Sequence, residues 1–338
     1  MAYAWKAGTD QVATTNYYQP KPADVGKTIT VKVTASKTGF TSTTKTSDPT
    51  AAVTKASITS TYTFAISGAA NVGSTLAFDH TSGSGVVSPK ATGSSLRWLR
   101  DGAPISGATS ASYVLTSADL GKNISLAVTV TKAGYNDLTV TSTNTIGPIE
   151  AAAITLGKPT INGTAVVDGL LTATVGTVTP SGTSLAYAWK AGNDQVATTN
   201  YYQPKPADVG KTITVTVTAS KTGFTSTTKT SDPTAAVTKA SFTSTYTFAI
   251  SGSANVGSTL AFDHTSGSGV VSPKATGSSF RWLRDGAPIS GATSASYVLT
   301  SADLGKSISL AVTVTKAGYN DLTVTSTNTI GPIEAAAG

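Results

Sequence analysis

The stretch Tyr113–Tyr135, YVLTSADLGKNISLAVTVTKAGY, occurs four times in this chain. It returns almost unchanged at Tyr297–Tyr319 and in a looser form at Tyr18–Phe40 and Tyr202–Phe224. Each version contains an extended segment, an Asp-x-Gly-Lys turn, an alternating strand and a Lys-x-Gly-aromatic hairpin. A unit repeated in this way predicts an array of similar β domains.

A longer repeat contains two of these units. Residues 1–153 align with residues 185–337 at a constant offset, and the copies differ at only seven positions. Copies this similar leave little room for each to carry a different active site. The architecture is therefore better specified by the sequence than any ligand is.

The composition is typical of an all-β chain. Thr, Ser, Val, Ala and Gly are abundant, and the only Glu residues are Glu150 and Glu334, so β-branched residues dominate over strong helix formers. The net charge is +7 with 12% charged residues, but the Lys residues are scattered. The sequence lacks the interleaved basic and aromatic residues that are typical of a nucleic-acid site. Without Cys, each domain depends on its apolar core, and no run is long enough to span a membrane.

The spacing of strand and turn signals predicts four Ig-like Greek-key β-sandwich domains in an elongated rod. Two domain types alternate, a shorter and a longer. The predicted boundaries are 1–56 for a truncated shorter domain, 57–152 for a longer one, 153–239 for a complete shorter one and 240–338 for a second longer one. The joints are short and rich in Ala, Val and Ile, which favours stiff coupling between neighbours.

Two sets of residues are predicted to be structural. The four Trp residues are the expected core anchors: Trp5, Trp98, Trp189 and Trp282. In the Asp-x-Gly-Lys turns, the Asp is expected to bind backbone N–H groups and the Gly to take unusual backbone angles, although an Asp–Lys ion pair or crosslink is the functional alternative. These turn residues are Asp24, Gly26, Asp119, Gly121, Asp208, Gly210, Asp303 and Gly305.

The first domain is incomplete. Nothing before Tyr3 matches Ile154–Ser184 of the complete shorter domain, so the first two strands are missing and sandwich interior would be exposed. Three explanations remain open: a cut inside a domain, a longer array, or strands donated by another chain.

Trp98 and the following DGAPISGATSASYVLTSADLGKNISLAV, with their second copy from Trp282, resemble the Ig-like tandem repeats of secreted and surface proteins of Gram-positive bacteria, particularly actinobacteria. The resemblance covers the longer domains fully and the shorter ones less tightly. It implies a stalk or spacer that projects another domain from a cell surface.

Few residues offer any other chemistry. His80 and His264 have no second His or Cys to form a metal site. No Gly-x-Ser-x-Gly elbow or paired-carboxylate cleft indicates catalysis, and we expect no cofactor. Exposed rings in the pairs Tyr17, Tyr18 and Tyr201, Tyr202 are candidates for stacking on a sugar or a partner.

The leading hypothesis is a non-catalytic spacer or stalk of an extracellular surface protein or adhesin, whose partners are its own neighbouring repeats. One alternative is a filament or virion subunit completed by strands from other copies of itself. The other is a carbohydrate-binding accessory region of a secreted enzyme, with cell-wall or host glycans as partners.

Overall fold

The computed structural model describes residues 1–336, with the backbone alone at positions 80, 82 and 264–266. The side chains of His80 and His264 thus lie outside the described residues. Throughout the described part the chain is all-β: strands are joined by turns, and helical structure is limited to 3-10 turns. These are Pro22–Asp24, Ser117–Asp119, Pro206–Asp208 and Ser301–Asp303.

The longer domains are Ig-like sandwiches. In the second domain, Thr63–Ser67, Thr75–Ser84 and Ser112–Val114 form one antiparallel sheet, and the other has four strands centred on Gly93–Arg100 and Ile124–Thr131. The remaining strands there are Ala56–Ser57, Thr59–Ser60, Val87–Ser88, Ala103–Pro104, Tyr135–Asn136 and Leu138–Thr141. The fourth domain repeats the arrangement with Ala240–Ser241, Thr243–Ser244, Thr247–Ser251, Thr259–Ser268, Val271–Ser272, Gly277–Arg284, Ala287–Pro288, Ser296–Val298, Ile308–Thr315, Tyr319–Asn320 and Leu322–Thr325.

The third domain is the complete shorter sandwich. Its three-stranded sheet packs against a four-stranded sheet centred on Ser184–Ala191 and Ile213–Ser220. The other strands are Ala152–Ala153, Thr155–Leu156, Thr160–Asn162, Leu171–Thr174, Val178–Thr179, Asp194–Ala197, Tyr201–Tyr202, Phe224–Thr225 and Thr227–Thr230. In the first domain the described strands form a single sheet: Ala2–Ala7, Asp10–Ala13, Ile29–Ala35 and Thr43–Thr46.

One strand runs further than the sequence pattern predicts. The pattern ends a strand at position 80 and places a Gly/Ser-rich connection after it, but the strand Thr75–Ser84 continues into that connection. Its end pairs with Thr63 after a register shift, and Gly85 turns the chain with φ 95°. Cross-strand pairing therefore overrides the low strand propensity of Gly and Ser here.

The chain divides into two compact units. One contains Met1–Ala153 together with Lys221–Thr225, and the other contains Ile154–Ser220 with the residues from Ser226 onward. The first two domains thus lie in one unit, and most of the third and fourth lie in the other.

Each complete domain has a core built around one Trp. Trp98, Trp189 and Trp282 are fully buried. In the second domain, Leu126 and Ile124 are also 0% exposed and lie on the strand that pairs with the Trp strand. Burial of such side chains contributes roughly 1.5–3 kcal/mol each, so this strand pair supplies much of the stability of the domain.

The first and third domains show nearly the same sequence in two environments. Val215, Val217 and Ala219 are fully buried in the third domain. Their counterparts in the first domain are partly or fully exposed, because the sheet that would cover them is absent from the described chain. The segment Tyr201–Tyr202 pairs with Leu171 and Thr172, whereas Tyr17 and Tyr18 are not in a strand.

This pair of domains allows a matched test of packing. Val215→Ala removes two buried methyl groups and leaves a cavity, so we expect a loss of about 2 kcal/mol in the free energy of unfolding of the third domain. Val31→Ala, the same change at the half-buried equivalent position, is expected to cost less than half as much. Hydrogen exchange of strand amides in the full chain reports each domain separately. Equal losses at the two positions would contradict the packing difference.

Candidate functional site: the domain joint

The repeated Asp is a buried hydrogen-bond acceptor. In the second domain, Asp119 is 0% exposed and accepts from the Thr116 backbone N–H at 2.7 Å and the Tyr113 hydroxyl at 3.0 Å. The Arg100 guanidinium donates to the same carboxylate, with Nε 2.7 Å from Oδ1. Asp303 makes the equivalent contacts in the fourth domain. Multiple donors of this kind offset the cost of burying a carboxylate.

The shorter domains use a reduced version of this network without an Arg. The Tyr202 hydroxyl donates to Asp208 Oδ2 at 2.5 Å, and the Lys205 backbone N–H donates to the same oxygen at 2.7 Å. Tyr18 donates to Asp24 in the first domain. Each turn thus has a Tyr–Asp bond that ties the turn to the strand before it.

The environment of these groups shifts their pKa values. Burial by itself raises the pKa of Asp119, but the Thr116 backbone N–H and the Arg100 guanidinium outweigh it, and the pKa lies below its ordinary value. Burial and the hydrogen bond to Asp208 raise the pKa of Tyr202. The hydrogen bond to Asp24 raises the pKa of Tyr18 to about 12. The Asp119 carboxylate therefore stays ionised, and the Tyr18 and Tyr202 phenols stay protonated at neutral pH.

The Lys of each turn pairs elsewhere. Lys122 Nζ lies 3.0 Å from Asp101, and Lys211 Nζ lies 3.0 Å from Asp194. These partners lie in or just after the turn that follows the Trp strand, not in the Asp-x-Gly-Lys turn itself. Both pairs are largely exposed, so each contributes about 0.2–1 kcal/mol at most. The Asp and Lys of one turn therefore have separate partners.

The turn holds the segment that leaves the domain. In the second domain, the Gly121 N–H donates to Ile149 O at 2.8 Å and the Ile149 N–H donates to Lys122 O at 2.9 Å. The third domain has the same pair of bonds between Gly210, Lys211 and Val237, at 2.9 and 2.8 Å. Gly121 and Gly210 take φ 71° and 88°, a region that favours glycine. The Asp network therefore fixes the direction in which the chain departs.

The departing segment also binds the first turn of the same domain. In the third domain, the Val167 N–H donates to Thr238 O at 3.1 Å and the Thr238 N–H donates to Ala165 O at 3.0 Å. Two turns of the domain thus form backbone hydrogen bonds to the same linker. Beyond them, the Ala240 N–H donates to Gly318 O of the fourth domain at 2.9 Å. The linker is therefore bonded to both domains of this unit.

The Lys-x-Gly-aromatic hairpin tip of each longer domain docks on the domain before it. A Cβ added at Gly318 would lie 2.9 Å from Val167 and 3.1 Å from Pro206. At the joint of the first two domains, a Cβ at Gly134 would lie 3.0 Å from Pro22. A side chain at either glycine would collide, so close approach requires the glycine.

The hairpin tips at Gly223 and Gly39 differ in whether they contact a neighbouring domain. In the first unit, a Cβ at Gly223 would lie 2.8 Å from the Cβ of Ser117. A Cβ at Gly39, in the first domain, would meet no described atom within 4 Å. Phe40 beside it is 71% exposed, whereas Tyr319 at the docked tip is 7% exposed and packs into the core of the third domain. Docking therefore buries the aromatic residue of the tip.

The predicted Trp anchors and the candidate stacking rings lie in different environments. Each Trp indole donates to a backbone carbonyl, as in Trp98 Nε1 to Ser110 O at 2.9 Å, and Trp5 is the one that remains half-buried. Among the candidate stacking rings, Tyr17 is 72% and Tyr201 is 49% exposed. Tyr202 is the inward ring of its pair: it is 4% exposed and hydrogen-bonded to Asp208, so it is not available for stacking.

Sequence reasoning missed the main element of the joint. The sequence pattern predicts only a hairpin for the Lys-x-Gly-aromatic motif, and it gives no signal for Asp168, whose carboxylate accepts from the Tyr319 hydroxyl at 2.8 Å. The available signal was the Gly at the same place in all four hairpins. That signal is weak, because these glycines have positive φ, which favours glycine whether the tip is docked, as at Gly318, or free, as at Gly39.

Two kinds of feature are absent from the described part of the chain. No group of three or more His, Asp or Glu side chains there is arranged to hold a metal ion. No helix in that part is long and apolar enough to cross a membrane.

Comparisons with known proteins give distant structural similarity alone. No family model and no curated protein sequence matches. A solved tetra-tandem repeat from the extending region of a large adhesion protein is 13% identical, with 98% of this chain and 91% of that chain covered and a TM-score of 0.29. Three N-terminal domains of the outer capsid protein Hoc of bacteriophage RB49 are 16% identical over 80% and 96%, with a TM-score of 0.24. The D1–D4 ectodomain fragment of ICAM-5 is 10% identical over 90% and 82%, with a TM-score of 0.28.

The buried Asp network can be tested by Asp119→Asn in the full chain. Because the variant leaves Arg100 without its buried counter-charge, we expect the second domain to lose about 3 kcal/mol of unfolding free energy at pH 7. The exposed Asp137→Asn is the control and is expected to change little.

The same comparison has a predicted pH dependence. The wild-type carboxylate has a lowered pKa in the folded domain, so its contribution is present above about pH 4, the unfolded value, and is lost as the pH falls through the folded pKa. The difference in unfolding free energy between wild type and Asp119→Asn should therefore become smaller in acid. Denaturant unfolding followed by hydrogen exchange of Ile124–Thr131 measures it, and a gap that is constant down to pH 2 would contradict the assignment.

Proposed function

We propose that this chain is a non-catalytic spacer of a repetitive extracellular protein, a stalk that sets how far another domain stands from a surface. The observation that supports it most is the docked glycine tip at Gly134 in one unit and at Gly318 in the other, where the equivalent contact recurs. Free linkers would leave the angle between neighbours undetermined, whereas a docked tip specifies it. The repeated motif thus serves the joint as well as the domain.

The composition of the joint fits a mechanical role. The linker is held by backbone hydrogen bonds on both sides, as at Val237 and Ala240, and the tip adds apolar contact through Tyr319. Parallel pairing joins Ala240–Ser241 to Tyr319–Asn320. Such a joint resists bending because bending would break several bonds together.

The resemblance to Ig-like repeats of Gram-positive surface proteins suggests a bacterial cell surface as the location and an adhesin as the parent. The neighbouring repeats are then the main partners of each domain. Glycans remain candidate ligands of the exposed ring of Tyr201.

Small-angle X-ray scattering of the full chain tests the spacer function. A compact chain of this length would have a radius of gyration of about 20 Å. Four domains of about 33 Å each placed end to end would give about 38 Å. We expect a value near the larger figure, and one near the smaller figure would overturn the proposal.

Two glycine variants connect that result to the joint. Gly318→Ala is expected to lower the radius of gyration and to increase tryptic cleavage at Lys239, because the new methyl group collides with Val167. Gly39→Ala is the matched control, since both glycines have similar positive φ, 79° and 85°, but Gly39 meets nothing. Equal effects of the two variants would mean that backbone strain, not docking, is responsible.

A second candidate function is assembly through donated strands. The first sheet presents side chains that are buried in the third domain, where Ile161, Leu171 and Ala173 pack against the equivalent surface. A strand pair from another chain would cover Val31 and Trp5 in the same way.

A synthetic peptide of residues 155–180 tests strand donation. If the first sheet accepts it, amide exchange in Ile29–Ala35 should slow at least tenfold while Ile213–Ser220 stays unchanged. The control peptide carries Leu171→Asp, which would place a charge in the covered core. No slowing at millimolar peptide, or equal slowing with the control, would rule this function out.

A further inference from the structure

Asp168 forms a polar contact across the joint of the third and fourth domains. Its carboxylate accepts from the Tyr319 hydroxyl at 2.8 Å, and Lys316 Nζ lies 3.7 Å from the same oxygen. The Lys316 ammonium also lies 4.7 Å from the centroid of the Tyr319 ring. Two residues of one domain thus converge on one carboxylate of the other.

The backbone of Asp168 is unusual. Its φ is +60°, which side chains other than glycine rarely adopt, although Asp tolerates it better than most. Gly73 occupies the same place in the second domain and Gly257 in the fourth, both with φ 88°. The correspondence is set by the first turns, where the N–H groups of Val72 and Val167 donate to the departing linkers in the same way.

The glycine version of this turn receives a different tip. A Cβ added at Gly73 would lie 3.4 Å from Cζ of Phe224, so the ring edge lies directly over the glycine. Phe224 has no hydroxyl and needs no acceptor. It carries the matching lysine, since Lys221 Nζ lies 5.6 Å from the centroid of its ring. One joint therefore combines a glycine in the turn with a Phe at the tip, and the other combines Asp168 with Tyr319.

We propose that this residue pair is a matching code that determines which domain type docks on which. The Asp168 side chain is 56% exposed, so an Asp facing a Phe tip would keep contact with water but lose its hydroxyl donor, and a Tyr tip over Gly would lose the carboxylate acceptor of its hydroxyl. Mismatched neighbours are thus disfavoured as well as matched neighbours favoured. The code explains why the shorter domains carry Phe40 and Phe224 while the longer ones carry Tyr135 and Tyr319.

The joint of the first two domains has the Tyr of the code but not the Asp that would face it. The first domain has no segment equivalent to Val166–Asp168 in the described chain, and a cavity of about 200 Å³ lies there between Pro22, Val53 and Tyr135. The tip still docks through Gly134. Glycine contact therefore supports docking in general, and the code pair supplies the selection.

A double-mutant cycle in the full chain tests the code at the second unit. Asp168→Gly and Tyr319→Phe are each expected to speed exchange of the Ala240 amide, which bonds Gly318 O, about tenfold. The combined variant recreates the Gly–Phe pair and should return to within about twofold of wild type. Amides of Ile213–Ser220 serve as the control for folding of the third domain.

The converse cycle uses the first unit. Gly73→Asp should speed exchange of the Val72 amide, which bonds Glu150 O, and adding Phe224→Tyr should slow it again because Lys221 is already in place. Additive effects in either cycle, or no effect of Asp168→Gly on Ala240, would overturn the code.

The inference refines the joint on which the spacer proposal rests, but exchange at the joint is a local measurement. A failed code with an extended chain in solution would leave the spacer function standing.

Discussion

The buried carboxylate of the Asp-x-Gly-Lys turn is the interaction on which the joint depends. A buried carboxylate without partners would be very costly, so the turn closes around Asp119 with a backbone N–H, a phenol and a guanidinium. Once closed, the turn presents the Gly121 N–H to the departing linker. The same residues that stabilise one domain thereby aim the chain at the next.

The joint combines this directed linker with a glycine that permits close approach. At Gly318 the backbone of one domain lies against Val167 and Pro206 of its neighbour, and Tyr319 adds buried area beside it. Neither element is sufficient alone, because a directed linker without a docked tip is a hinge. Together they make the contact specific enough that a single pair, Asp168 with Tyr319, distinguishes one joint from another.

Much of the fold was predictable because its signals are local. Alternation predicted the strand Ile124–Thr131, and the single Trp per domain predicted the core. The reach of Thr75–Ser84 was not predictable, since it depends on a partner strand instead of its own Gly and Ser residues. The role of Asp168 was likewise not predictable, because its partner Tyr319 is 151 positions away in the sequence.

The sequence by itself determined the repeat, the all-β class and the strand-and-turn pattern of each domain, because these follow from periodicity and local turn chemistry. Only the tertiary structure decided what identical residues do. Val31 and Val215 lie in nearly identical strands, which differ beside them only in Lys32 against Thr216, yet one valine is half-buried and the other is fully covered. Gly39 and Gly318 occupy equivalent hairpins, yet only one is docked. Burial and docking depend on which surface lies opposite, and that information is non-local.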